Sequence, residues 1–396
     1  MMQISPEIQL FIREHSSDDV RVLALQAKKY PDIDMPTVIT QIAGRKVAAE
    51  KIPSWWEIEK IWYPKHLSLE QCSSEITARY KARLLQGDSL TDLTGGFGID
   101  CSFLATGFKS ATYVERQEEL CEIAAHNFPV LNLNHINIKN EDGVTYLQAM
   151  SPVDCLFLDP ARRNEHGGKT VAISDCEPNV AELEELLLQK ANRVMIKLSP
   201  MLDLSLALKE LKQTQEVHIL SVNNECKELL ILLGQTSPAE ISIHCVNLFT
   251  KGTQKEQHFV FTREQEQCSE CTYTDSLETY LYEPNASLLK AGAFRSIAAA
   301  YPVRKLHPNS HLYTSDTFIE NFPGRIFRIV NQCSFNKKEV KENLADLKKA
   351  NVTVPNFPAT VAELRKRIHL AEGGDTYLFA STLNNGQKVL IRCEKV

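Results

Sequence analysis

The run "LTDLTGGFGID", Leu90–Asp100, starts as a short apolar strand, meets an acid at Asp92 and passes into Gly95, Gly96 and Gly98. Glycines that follow a buried parallel strand let a ligand approach the backbone at the start of the next helix. In the G-x-G-x-x-G register, Gly96 and Gly98 match and Cys101 replaces the third glycine. A dinucleotide site therefore fits only in part.

The flanking pattern supplies the fold. Apolar runs "SLTDL", "SATYVE", "INIKN", "VDCLFLD", "RVMIKL", "VHILSV" and "LLILLG" occupy the chain from Ser89 to Gly234. Helical segments such as "QEELCEIAAHNF" and "VAELEELLLQKA" lie between the earlier ones. Near-continuous apolar strands alternating with helices predict a mostly parallel sheet covered on both faces. Only "NNECKE" separates the last two runs, too little for a crossover helix, so they should pair antiparallel. The expectation is an α/β, Rossmann-like sheet of seven strands, five parallel and closed by an antiparallel hairpin.

Outside it, residues 1–70 read as a helical region, with the aromatic "PSWWEIEKIWYP" placed to pack on a neighbour. Residues 235–281 read as a small α+β unit in which "EISIHCVNLF" and "EQHFVFTRE" pair as strands. Residues 282–396 read as an α+β domain. There, Asn336 and Thr360 precede helix starts, each with a glutamate three residues on, and "DTYLFAST" and "QKVLIRCEK" flank a hairpin turn.

Composition excludes several classes. The 396 residues are 43% hydrophobic and 24% charged, ordinary for a globular chain of two or three domains. No apolar run approaches a membrane span, and the start lacks a basic-then-apolar leader. Eleven cysteines, an odd number, fit reduced thiols in the cytoplasm better than a disulfide framework. From Leu281 to Val396 there are 17 Lys and Arg against 10 Asp and Glu, while the remainder carries 27 against 40. A basic tail on an acidic body fits a polyanionic partner such as RNA, or merely a solvated helix surface.

Ligands of open parallel sheets bind beyond the carboxyl ends of the strands. Four successive strands deliver an acid there: Asp92, Glu115, Asp142 and Asp159. Glu115, at the second strand's end, suits the hydroxyls of a ribose, and Asp142 an adenine edge. Lys197, at the fifth strand's end, is either a substrate contact or a partner for Asp159, and its rim position favours a place in the catalytic set with Asp159 and Pro160. Arg162 and Arg163 either grip a phosphate or pair with Asp175 or Glu177. Cys268 and Cys271 form a C-x-x-C without a second ligand pair and His258 stands alone, so no metal is expected.

In order and spacing, "DLTGGFG", "YVE", "NEDG" and "LFLDPARR" resemble class I S-adenosylmethionine-dependent methyltransferases. Within these, the chain resembles the bacterial group with a THUMP-like C-terminal domain. That group's "SEITARYK" segment (Ser74–Lys81), "KLSP" (Lys197–Pro200), "ECKE" (Glu225–Glu228) and "YEPN" (Tyr282–Asn285) all have counterparts here. The resemblance implies a methyltransferase domain over 71–234, a ferredoxin-like unit over 235–281 and a THUMP-like, RNA-binding domain over 282–396.

It also implies roles. Asp92, Thr94, Gly95, Gly96 and Gly98 would hold the amino-acid part of S-adenosylmethionine, Glu115 its ribose and Asp142 its adenine. Thr77 and Lys81 would close over the cofactor. Asp159 and Pro160 form the fourth motif, beside the reacting atom, with Asp159 touching both cofactor and substrate. Related enzymes that modify amino groups carry a second proline and an aromatic at this place; here Ala161 and Arg162 follow. The expected activity is methylation of a nucleobase nitrogen in tRNA or rRNA. A methyltransferase acting on protein or a small molecule, and a non-catalytic RNA-binding protein that keeps the fold, are the alternatives.

Overall fold

The computed structural model describes residues 4–162, 172–236 and 238–396. The chain divides into two compact units, Met1–Gln215 with Leu229–Pro238, and Glu216–Glu228 with Ala239–Val396.

The large sheet contains β1 (Ser89–Asp92), β2 (Ser110–Glu115), β3 (Ile136–Asn140), β4 (Val153–Leu158), β5 (Ala191–Leu198), β6 (Thr214–Val222), β7 (Glu225–Gly234), β8 (Ser242–Leu248) and β9 (Glu256–Thr262). Their order is β3-β2-β1-β4-β5-β7-β6-β8-β9. Strands β1 to β5 pair in parallel, and β7 runs antiparallel to β5. Asn223 and Asn224, at φ 50° and 68°, make the two-residue turn between β6 and β7. Asparagine tolerates the left-handed region, and two such residues in succession match the twist of a hairpin. "ECKE" is thus strand rather than loop.

The seven expected strands are present, but the sheet has nine. Ser242–Leu248 and Glu256–Thr262 do pair antiparallel, yet they form no sheet of their own. β8 also runs parallel to β6, from Ser242 opposite Glu216 to Leu248 opposite Val222. The reason lies in β8 itself. Ile243, Cys245, Val246 and Leu248 are buried on alternate and adjacent positions, which needs cover on both faces and neighbours on both edges.

In the first unit the middle strands are the core. Leu156, Phe157 and Leu158 of β4 and Val194, Met195 and Ile196 of β5 are buried. Each large apolar side chain contributes roughly 1.5–3 kcal/mol on burial. The N-terminal helices join the same hydrophobic body. Ala48, Ile52, Trp55 and Tyr63 pack with Phe97, Ile99, Phe103 and Ile123, and Trp55 meets Phe97 edge-on at 5.2 Å between centroids. The aromatic "PSWWEIEKIWYP" segment therefore braces the helix that follows the glycine loop.

The second unit holds a further sheet of β10 (Tyr280–Pro284), β11 (Arg304–His307), β12 (Ser310–Ser315), β13 (Gly324–Ser334), β14 (Lys349–Thr353), β15 (Ala371–Thr382) and β16 (Lys388–Lys395). Their order is β11-β12-β10-β13-β16-β15-β14. Phe327, Phe379, Ile391 and Cys393 centre its core. Both helix starts read from the sequence are capped there. Asn336 accepts from the N–H of Glu339, and Thr360 and Glu363 form a reciprocal capping box. Among the described residues no helix is long and apolar enough to cross a membrane.

Candidate active site

The site is built around the end of β1. Asp92 is the strand's last residue, and its Oδ1 accepts the N–H of Thr94 at 3.0 Å, which turns the chain out of the sheet. The loop then rests on β2. Gly95 donates its N–H to the carbonyl of Val114 at 2.8 Å, and Tyr113 donates its hydroxyl to the carbonyl of Gly96 at 2.5 Å. A Cβ at Gly95 would lie 2.2 Å from Cε2 of the Tyr113 ring, so only glycine permits this approach. Gly96 and Gly98 take φ of 55° and 85°, the left-handed region that glycine enters without penalty.

Two acids fasten the loop from the neighbouring strands. Glu115 accepts the N–H of Gly96 at 2.9 Å and of Gln117 at 2.8 Å, so the end of β2 holds the loop's crown. Asp159, just past β4, donates its own N–H to Thr94 Oγ1 at 2.6 Å. Thr94 is not among the residues at positive φ, so its position in the loop asks nothing of glycine, and its hydroxyl links β1 to β4. Asp142 caps the helix Gly143–Ala149, its Oδ1 accepting from Val144 and Thr145 at 3.0 Å each, and it is exposed.

Beneath the rim runs a charged chain, of which the sequence offered only the Lys197–Asp159 link. Lys197 Nζ lies 2.5 Å from Asp159 Oδ2 and 3.5 Å from Asp100 Oδ2. Asp100 Oδ1 lies 2.8 Å from Lys81 Nζ, and Ser73 Oγ joins Lys81 to Asp100 Oδ2 at 2.7 Å on each side. Two cations thus meet two anions. Lys81 is fully buried and Lys197 and Asp100 are 8% exposed, so water reaches this chain only at its Asp159 end. Lys81, expected against the cofactor, is engaged here with Asp100 and Ser73. Thr77, also buried, has its hydroxyl on the carbonyl of Ser74 at 3.0 Å. Asp100 had one signal in the sequence: it is the only charged residue in the helix "IDCSFLA".

Burial opposes the ionisation of Asp100, but Lys81 and Lys197 outweigh it and hold its carboxyl below the usual range. Burial raises Asp159, against the pull of Lys197. Asp92 differs from both. Burial pushes it up to about 8, the Thr94 N–H works against the shift, and the charges of Asp100, Asp159 and Glu115 add to it. Its Oδ2 is buried and has no hydrogen-bond partner among the described residues. An unsatisfied buried acceptor costs about 1–3 kcal/mol, which a bound cationic donor would remove. An orphaned carboxylate oxygen beside a glycine cradle fits the ammonium end of an amino-acid-bearing ligand such as S-adenosylmethionine.

Pro160 is buried, and Ala161–Arg162 pairs briefly with Cys176–Glu177. Glu177, one partner considered for the arginines, lies 3.6 Å from Arg116. Arg163 falls outside the described residues. A cleft of about 360 Å³ lined by Ser54, Trp55, Arg79 and Phe103, among others, contains none of the rim acids.

Residues 280–323 match the ferredoxin-like domain family and residues 324–395 the THUMP domain-like family. The ferredoxin-like match thus begins where the unit expected over 235–281 was to end. A candidate methyltransferase from Porphyromonas gingivalis W83 is 35% identical, over 98% of this chain and 98% of that one, with a TM-score of 0.87. Weaker matches include an rRNA methylase from Streptococcus thermophilus, at 14% identity over 40% of this chain and 93% of that one, TM-score 0.29. Another is a candidate methyltransferase from Streptococcus mutans in complex with SAH, at 13% identity over 40% and 96%, TM-score 0.30. Similarity as low as that of these two carries no weight for the function of this chain. No curated protein matches the chain.

Proposed function

The chain belongs to the class I S-adenosylmethionine-dependent methyltransferases, in the bacterial group with a THUMP-like C-terminal domain, and on that premise we propose that it methylates a nucleobase nitrogen in tRNA or rRNA. The observation that carries the reading is the buried Oδ2 of Asp92 at the end of β1, which has no hydrogen-bond partner among the described residues.

When bound, S-adenosylmethionine supplies an electrophilic methyl group on a sulfonium. The chain's residues supply position and charge. Asp92 accepts from the ammonium of the amino-acid end, and the backbone of Gly95–Gly98 lets that end come close. Glu115 uses the lone pairs left by its two backbone hydrogen bonds for the ribose hydroxyls, and exposed Asp142 faces the adenine. Thr77 stands at the cofactor's edge. Lys81 acts one step back, by fixing Asp100.

Asp159 is the group at the reacting nitrogen. An exocyclic amine has its lone pair delocalised into the ring, and an acceptor aimed at its N–H localises that pair for in-line attack. Asp159 has 36% of its side-chain surface open, so one face can meet substrate while Lys197 holds the other. Pro160 fixes the direction in which the chain leaves the rim. Arg162 and Arg163 contact substrate phosphate. The THUMP-like domain, with its surplus of Lys and Arg, supplies the affinity for RNA. An RNA substrate accords with the cytoplasmic placement expected from the thiols.

Calorimetry with S-adenosylmethionine tests the first step, with binding expected in the wild type and lost in Asp92→Asn. Absence of binding to the wild type ends the enzyme reading. Transfer of labelled methyl to bulk RNA tests the second: Asp159→Ala should bind cofactor and transfer nothing. Undiminished transfer by that variant removes Asp159 from the mechanism.

A further inference from the structure

Three strands of the second unit bring together residues that lie far apart in sequence. His218 of β6 stands directly opposite His244 of β8, and Glu216 opposite Ser242. His258 of β9 stands opposite Val246. Residues two apart on a strand share a face, so Glu216, His218, His244 and His258 all project from one face of adjacent strands. The rings of His218 and His244 stack with centroids 4.3 Å apart, and those of His244 and His258 at 5.3 Å.

Donor atoms of Glu216, His218 and His244 lie near one another, and His258 adjoins His244. His218 Nε2 is 3.2 Å from Glu216 Oε2, and His244 Nδ1 is 3.1 Å from His258 Nε2. One donor atom each from Glu216, His218 and His244 lies within 4.8 Å of the others. Around a tetrahedral zinc with ligands at roughly 2.0–2.1 Å, neighbouring ligand atoms stand about 3.3 Å apart. The Glu216–His218 and His244–His258 pairs are close to that spacing, and the stacked rings, 16° and 29° from parallel, would turn on their strands to bring their in-plane lone pairs to one ion.

We propose that Glu216, His218, His244 and His258 form a binding site for a late first-row divalent cation, with Zn²⁺ the best fit. Three imidazoles and a carboxylate are the ligand set that such ions take with four-fold coordination. The outer contacts suit it. His244 Nε2 is 3.2 Å from Ser242 Oγ, a partner that would take the ring's remaining N–H and leave Nδ1 for the metal. His218 is 2% exposed, whereas His258 is exposed, so the site opens to solvent on the β9 side and needs no opening of the core. The bound cation would staple β6, β8 and β9. His258 stands alone in the sequence; strand pairing supplies the other three ligands.

The test is titration of the full chain, made without a metal-affinity tag and stripped with chelator, using Zn²⁺ in the calorimeter and Co²⁺ in the visible spectrum. One equivalent should bind, and Co²⁺ should show the bands of a tetrahedral nitrogen–oxygen site. Losing even an outer partner of a metal site costs 10–100-fold, so His258→Ala should weaken binding by about tenfold or more, and His244→Ala should abolish it. His258 lies on the exposed strand, so that variant reports even if the buried one fails to fold. No binding, unchanged binding in His258→Ala, or a thiolate charge-transfer band that places the metal on Cys268 and Cys271 would each overturn the proposal.

Discussion

Lys197 Nζ lies 2.5 Å from Asp159 Oδ2, so the acid at the end of β4 is held from below by a lysine at the end of β5. The same ammonium is 3.5 Å from Asp100, which Lys81 holds on its other side. Lys197 is thus the joint between a buried ion-pair chain and the acid at the rim.

The joint has asymmetric consequences. Lys197→Met leaves the buried Asp100 with Lys81 as its one cation and facing an Asp159 that has lost its ion pair. Breaking such a pair from one side costs about 3 kcal/mol, read as a drop in the urea midpoint. Asp159→Asn removes a partner that water already reaches, and it should cost less than about 1 kcal/mol. Equal losses in the two variants would mean that Asp159 serves stability rather than chemistry.

Asp92 should make the ligand-free protein less stable as pH rises. Its carboxyl titrates at about 8 in the folded chain against an ordinary 3.8. Between those values the folded chain holds the proton that the unfolded chain has released, so stability is fullest below about pH 4 and falls through about pH 8. Asp92→Asn cannot ionise. Its urea midpoint should fall less from pH 5 to pH 8 than the wild type's, while it no longer binds S-adenosylmethionine. Identical pH profiles would contradict the burial of that charge.

The glycine loop should tolerate no side chain at Gly95. Its Cβ would enter the Tyr113 ring, and overpacking of this kind costs about 2 kcal/mol. The clash is shared, so Gly95→Ala combined with Tyr113→Leu should cost less than the sum of the single variants. Additive losses in thermal melts would mean that the ring is not the obstacle.

Much of the rim is legible in the sequence, and the contacts beneath it are not. The acids Asp92, Glu115 and Asp159 stand out because each ends an apolar run, and strand ends mark the rim of a parallel sheet. Lys197 is legible as a substrate contact or a partner for Asp159, and the structure shows the second contact, at 2.5 Å. Asp100 and Ser73 are not legible as partners, because their pairing with Lys81 depends on how the helix Glu75–Ala82 packs on the helix Ile99–Ala105. The extension of the sheet by β8 and β9 is hidden for a similar reason. A strand's own pattern shows that it needs neighbours without naming them.

The surplus of basic residues in the C-terminal domain makes a prediction about salt. RNA affinity should fall as ionic strength rises, with a log–log slope of about −0.7 for each phosphate contacted in single-stranded RNA. Lys338 and Lys366 are exposed, so Lys338→Glu with Lys366→Glu should leave the melting temperature unchanged. The same pair should weaken binding and flatten the slope. Unaltered affinity in filter binding would move the RNA surface away from these helices.

The central claim is that this chain places a methyl group on RNA through Asp159. The most direct measurement is mass spectrometry of nucleosides from RNA of cells with and without the gene. Loss of one methylated nucleoside is expected, restored by the wild-type chain and not by Asp159→Ala. An unchanged nucleoside profile, from a protein that still binds S-adenosylmethionine, would contradict the claim and send the methyl group elsewhere.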